Sequence, residues 1–203
     1  MGRRPDIDGR ELLLEAALRL FAEQGVEGVS IRAVNREAGL GPASVHYHFG
    51  TKEALVEAVL HRYGDVVIDR TKQRAREISA TDGTWEARDL VTMLAEPYID
   101  LVATRDEQGR SWVRFVSQLL QQDPDRLLDR PSVRLIWGAA HRVYPDADPR
   151  DVQRAMRMCL ILLVTQLSST PPGGRGGLDI DLLIDFLSAG LDAALSRRQQ
   201  ATA

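Results

Sequence analysis

Four of the five residues Ser44–His48 carry hydrogen-bonding side chains: Ser44, His46, Tyr47 and His48. Ser30 and Arg32 lie shortly before them, and Lys52 follows in the run Phe49-Gly50-Thr51-Lys52. A dense polar and aromatic cluster flanked by single cations suits contacts to base edges and phosphates. Other chemistry finds less support. The histidines at 46, 48, 61 and 141 include one His-x-His pair, a weak metal signal without further ligands. No nucleophile–base set and no phosphate-binding glycine loop is present, and no cofactor is expected. An all-helical small-molecule enzyme therefore stays a minor alternative.

The cluster needs elements to hold it. Glu11–Gln24, ELLLEAALRLFAEQ, places Leu13, Ala16, Ala17, Leu20 and Phe21 on one helical face, and Gly25 suits its C-terminal cap. Ser30 is a natural N-cap for a second helix over Ile31–Ala38, with Val29 and Val34 spaced as a hydrophobic staple. Gly39 fits a sharp corner, and Pro42 fits the first position of a third helix, Pro42–Phe49. Within it Val45 is the inward anchor, leaving Ser44, Tyr47 and His48 more exposed; Pro42, Ala43 and His46 are further contact candidates, and His48 reads equally as a phosphate contact or a helix-end packing residue. Thr51 caps a fourth helix running from Lys52 to about Ile78, with Leu55, Val59, Tyr63, Val66 and Val67 along one side. Two short helices around a glycine corner form the pattern of a helix-turn-helix, whose second helix enters the DNA major groove.

Composition narrows the class. The 203 residues are 44% hydrophobic, enough for a substantial core in one or two domains. No stretch has 18 uncharged apolar residues, no secretory leader opens the chain, and Cys159 is the single cysteine. The cytoplasm is the expected compartment, with no membrane partner. Net charge is −3; residues 1–78 hold 12 basic and 12 acidic side chains, so any basic patch is local. Only Lys52 and Lys72 are lysines, against 24 arginines. Lys52 stands at a helix start, where a compact ammonium suits a phosphate, although chance placement reads equally well. Arg3 and Arg4 are either a minor-groove arm or solvated terminal charge.

Residues 13–60 resemble the DNA-binding domain of the TetR family of bacterial transcription regulators. The matching pieces are Leu14, Ala16, Ala17, Leu20, Phe21 and Gly25, then Ser30 and Ala38-Gly39-Leu40. Last comes Val45-His46-Tyr47-His48-Phe49-Gly50-Thr51-Lys52-Glu53-Ala54-Leu55, against the family's Leu-Tyr-x-Tyr/His-Phe-x-x-Lys-x-x-Leu. Three positions depart from it. Gly41 stands where the family caps its recognition helix with Ser, His46 where it has Tyr, and Asn35, the single asparagine, where it has a small Ala. Asn35 must find a hydrogen-bond partner or reach solvent. The resemblance implies an all-α chain: a helix-turn-helix domain over residues 1–52, then a helical effector-binding and dimerisation domain over residues 53–203. It implies a sequence-specific repressor released by a small molecule. An effector-independent activator or architectural DNA binder is the alternative.

The second part reads as helices without a signature of its own. Pro97 predicts a kink or break near Glu96. Asp123-Pro124 and Asp148-Pro149 each read as an N-cap followed by an N1 proline. Tyr98, Trp112, Phe115, Trp137, His141 and Met156 are candidates for an aromatic pocket, and for each single residue plain core packing is the competing reading. Cys159 reads as a small buried hydrophobe. Two helices carry apolar residues on more than one side, separated by the Gly/Pro-rich run 171–177. Their expected role is a homodimeric four-helix interface through Leu160, Leu163, Leu167, Leu183, Phe186, Leu187 and Leu191.

Overall fold

The computed structural model describes residues 9–80, 84–103, 107–128, 130–169 and 178–200. Every regular element in them is an α-helix: α1 (Gly9–Gly28), α2 (Ile31–Glu37), α3 (Ser44–Phe49), α4 (Lys52–Ala80), α5 (Ala87–Ala103), α6 (Glu107–Gln122), α7 (Pro124–Leu128), α8 (Pro131–Val143), α9 (Pro149–Ser169) and α10 (Ile180–Gln200). The expected arm residues Arg3 and Arg4 and the Gly/Pro-rich run lie outside the described residues.

Helix α1 buries Leu13, Leu14, Ala16, Ala17, Leu18 and Phe21, then bends at Gly25, whose φ of 72° only glycine adopts without strain. A Cβ at Gly25 would also stand 3.1 Å from Gln118 of α6, so the bend lets the two helices approach. Ser30 caps α2, its hydroxyl accepting from the Ala33 N–H at 3.1 Å. Val29 and Val34 are both buried. Gly39 turns the corner at φ 67°.

The third helix begins two residues later than its proline suggests. The Ser44 N–H donates to the Gly41 carbonyl at 3.0 Å, which closes a β-turn with Pro42 at its second position. Ala43, at φ −93° and ψ −1°, is the N-cap and offers no side-chain hydrogen bond.

Thr51 caps α4 by accepting from the Ala54 N–H at 3.1 Å. Its 29 residues make a rod of about 43 Å. It packs on α1 and α3 near its start, and on α5 and α8 along its length. Val66, expected on its inner side, is exposed; Leu55, Val59 and Val67 of that stripe are buried, joined by Leu60, Gly64 and Thr71. Helix α5 does not break at Pro97. The proline removes a single backbone donor, while burial of Leu90, Val91, Leu94, Ala95 and Tyr98 holds the axis on both sides of it. Helix α6 is central, buried by α1 on one side and α9 on the other. Asp123, Asp148 and Asp179 each accept a backbone N–H at the start of the helix they precede.

Candidate nucleic-acid interface

Helix α3 anchors itself through Val45, which is fully buried, and through Phe49, half-buried against the core. Tyr47 is 84% exposed, a large aromatic group that meets the neighbouring His48 ring edge-on at 5.0 Å and otherwise faces outward. Pro42, Ala43 and His46 are exposed and Ser44 is half-buried. The His46 ring uses Nδ1 to donate to the Gly50 carbonyl at 2.7 Å, which leaves Nε2 of the neutral ring as an outward acceptor. His48 lies half-buried between Tyr47 and Phe49, with Nε2 against the start of α1 at Gly9. That placement makes it a packing residue first.

Asn35, 2% exposed, is doubly satisfied. Its Oδ1 accepts from the Val45 N–H at 3.0 Å and its Nδ2 donates to the Pro42 carbonyl at 2.7 Å. The amide thereby supplies, from α2, the cap that Ala43 cannot give α3.

Around α3 stand the remaining polar candidates. Ser30 keeps its O–H to donate, because its oxygen is what accepts from Ala33. Arg32 is exposed and, among the described residues, neither it nor Lys52 makes an ion pair. By contrast Arg19 is held by Glu37 at 2.9 Å, and Arg10 lies 5.1 Å over the Phe49 ring. At the start of α4 the backbone offers less to a phosphate than the sequence suggests. Thr51 takes the Ala54 N–H, and the Glu53 carboxyl is held below its ordinary range by its own backbone N–H and by the Thr51 hydroxyl. A phosphate there would meet the Lys52 ammonium.

Away from this surface a cavity of about 170 Å³ opens between α4, α5, α6, α8 and α9. Tyr98, Trp112 and Trp137 line it, with Tyr98 and Trp112 stacked at 5.9 Å. Three other pocket candidates lie elsewhere. Phe115 stacks on Phe21 of α1 at 5.6 Å, on the opposite side of α6. Met156 is fully buried away from the wall, and His141 is half-buried on the last turn of α8. Gly64 and Thr71 of α4 are wall residues that sequence reading missed. The mid-helix glycine was the available signal: a Cβ there would stand 2.6 Å from the Trp112 ring. Burial pushes the Cys159 thiol up to about 11, as befits a packing residue.

The expected dimer face is also corrected. Leu160, Leu163, Leu167 and Leu191 are buried in the chain's own core, where α5 and α6 cover α9 and α10. A second copy cannot reach them. Facing outward are Met158 and Leu162 on α9 and Leu182 and Phe186 on α10, Phe186 at 69% exposure. Between the two helices runs an open apolar groove, with Leu183 and Leu187 in its wall.

Among the described residues no group of His, Cys, Asp and Glu is placed to hold a metal, and no helix is long and apolar enough to cross a membrane.

Comparison with known proteins bears on the whole chain. Residues 13–59 match the family described as "Bacterial regulatory proteins, tetR family", and residues 92–190 match the "Tetracyclin repressor-like, C-terminal domain". The transcriptional repressor AcnR of Corynebacterium diphtheriae is 30% identical over 93% of this chain and 80% of its own length. The transcriptional regulator BetI of Rhizobium meliloti is 28% identical over 59% of this chain and 56% of its own. Two solved structures share the fold. Salmonella enterica GusR has a TM-score of 0.52 at 21% identity, covering 96% of this chain and 98% of its own. The ketosteroid transcriptional regulator KstR2 of Mycobacterium tuberculosis has a TM-score of 0.55 at 21% identity, covering 92% and 95%. A helix-turn-helix head matching one family profile, a helical body matching its companion and a named repressor similar along nearly the full length agree: the chain belongs to the TetR family of bacterial transcription regulators.

Proposed function

We propose that two copies of this chain bind a two-fold operator duplex, repress transcription from it, and release it when a small molecule occupies the cavity. Residues 1–52 form the DNA-reading unit and residues 53–203 the effector and dimer unit. Helix α3 enters the major groove with Tyr47, Ser44 and His46 toward base edges, while Ser30, Arg32 and Lys52 contact phosphates. Met158, Leu162, Leu182 and Phe186 meet their counterparts on the second copy. Such a dimer sets the two α3 helices about one DNA turn apart, ~34–36 Å.

The observation that carries the reading is the state of α3. It is a six-residue helix held to the core by Val45 and the half-buried Phe49, fixed by Asn35 from behind, with Tyr47 84% exposed. A helix built this way contributes little core and turns a row of polar and aromatic side chains outward, as a helix that reads a DNA groove does. The body supports release. One side of α6 lines the cavity through Trp112, Val116 and Leu120. Its other side holds α1, through the Phe115–Phe21 stack and a Gln118 amide donating to the Ala22 carbonyl at 2.9 Å. A ligand that prefers one placement of α6 therefore biases α1 and the head it carries.

The test is selection of bound duplexes from random DNA by the full chain, followed by gel shift across a salt series. Enrichment of a two-fold site, bound by a dimer with affinity falling steeply in salt, is the expected result. A folded chain that enriches no sequence over competitor at low salt overturns the reading.

A further inference from the structure

The cavity wall carries two buried donors that the protein does not satisfy. The indole N–H groups of Trp112 and Trp137 have no acceptor among the described residues, although the two side chains are only 4% and 7% exposed. Both residues line the cavity. An unpaired buried N–H is costly, so two around one cavity mark a place where acceptors arrive with a ligand.

The rim says what the ligand's charge must be. Each ionic side chain there already has a polar partner: Arg130 bonds to Glu57, Lys72 lies 3.6 Å from Asp69, and Asp65 lies 3.4 Å from the His61 ring nitrogen. Deeper in, the Thr71 hydroxyl is spent on the Val67 carbonyl, and burial raises Tyr98 well above the usual phenol range, keeping it neutral. A charged ligand would lose its hydration and gain no unpaired counter-ion. Size sets the last limit. A cavity of comparable volume holds a benzene-sized molecule.

Resting on the reading of this cavity as the effector site, we propose that it takes a compact, neutral, mostly apolar molecule bearing a carbonyl-type oxygen, which accepts from the Trp112 and Trp137 indole N–H groups.

Acetophenone, ethylbenzene and benzoate probe this, being close in size and differing in the acceptor and its charge. Titration calorimetry on the full chain gives the ratio of the ethylbenzene to the acetophenone dissociation constant. The same ratio is measured for the Trp112→Phe/Trp137→Phe double variant, which keeps the aromatic walls and deletes both donors; ethylbenzene binding reports that its cavity is intact. The expected result is a ratio about tenfold or more larger in the native chain, one hydrogen bond's worth at least. Benzoate should bind more weakly than acetophenone. An equal ratio in both chains, benzoate as the tightest probe, or no probe binding to the native chain overturns the proposal. If the double variant does not fold, the single Trp112→Phe and Trp137→Phe chains are read the same way. Operator binding without probe is measured in parallel. Loss of the ratio with operator binding intact rejects the ligand class alone. A preserved ratio without operator binding rejects the regulator reading and leaves the cavity chemistry standing.

Discussion

Asn35 illustrates how one residue answers for another. The family resemblance places a small alanine at its position and a capping serine before the recognition helix; this chain has neither. The structure joins the two departures, since Asn35 Oδ1 takes the Val45 N–H that Ala43 leaves uncapped, and Nδ2 takes the Pro42 carbonyl. Asn35→Ala leaves both backbone groups unpaired in a buried site and should lower folding stability by about 1–3 kcal/mol. Adding Ala43→Ser to that variant supplies a local cap and should return roughly 1 kcal/mol. Urea denaturation of the single and double variants checks this; additive losses would refute the compensation. A second residue is tested by its salt dependence. Lys52→Ala should weaken all sequences alike and flatten the slope of log affinity on log salt by about one, while Tyr47→Ala should change which sequence is preferred. Gel shifts that leave both variants at native behaviour would remove them from the interface. Caps and corners such as Ser30, Thr51 and Gly39 were legible in sequence because their partners are three or four residues away. The partners of Asn35 lie seven and ten residues on, beyond what a local pattern encodes.

Helices with apolar residues on several sides are where sequence runs out. Periodicity shows that α9 and α10 must be covered twice, but not which stripe the chain covers itself. Five of the seven expected interface residues, Leu160, Leu163, Leu167, Leu187 and Leu191, turn out nearly or fully buried, and Phe186 alone stands clear. The same ambiguity moved Phe115 out of the pocket, because α6 is buried on both sides and its aromatic residues divide between them. Pro97, read as a kink or a break, does not end α5 for a related reason: packing on both sides outweighs one missing donor. Two substitutions separate the stripes. Phe186→Glu puts a charge into the exposed face and should yield a monomer in sedimentation at micromolar concentration, with secondary structure intact and operator affinity strongly reduced. Leu163→Ala, 1% exposed, should instead cost about 2–5 kcal/mol of stability in the monomer's own core. A dimer persisting in Phe186→Glu would mean that the chain associates through another surface.

On the scale of the molecule, two links join cavity and head. Helix α6 is one, holding α1 through Phe115 and Gln118. The other runs through Glu57, on α4 just beyond Lys52. Its carboxylate accepts from Arg126 at 3.2 Å and from Arg130, the latter in the cavity lining, and all three side chains are partly sheltered from water. Charge-assisted bonds of this kind are directional, so a ligand that shifts Arg130 pulls on α4, the helix that begins at Lys52 beside α3. Coupling between the sites is reciprocal: whatever factor the ligand takes from operator affinity, the operator must take from ligand affinity. Glu57→Gln keeps the shape and removes the charge. It should leave operator affinity and probe affinity each near native when measured alone, and reduce the factor linking them about fivefold, equivalent to roughly 1 kcal/mol of coupling. Measuring probe affinity with and without saturating operator gives that factor directly. An unchanged factor in Glu57→Gln would assign the transmission to α6, and Gln118→Ala would then be the variant that loses it.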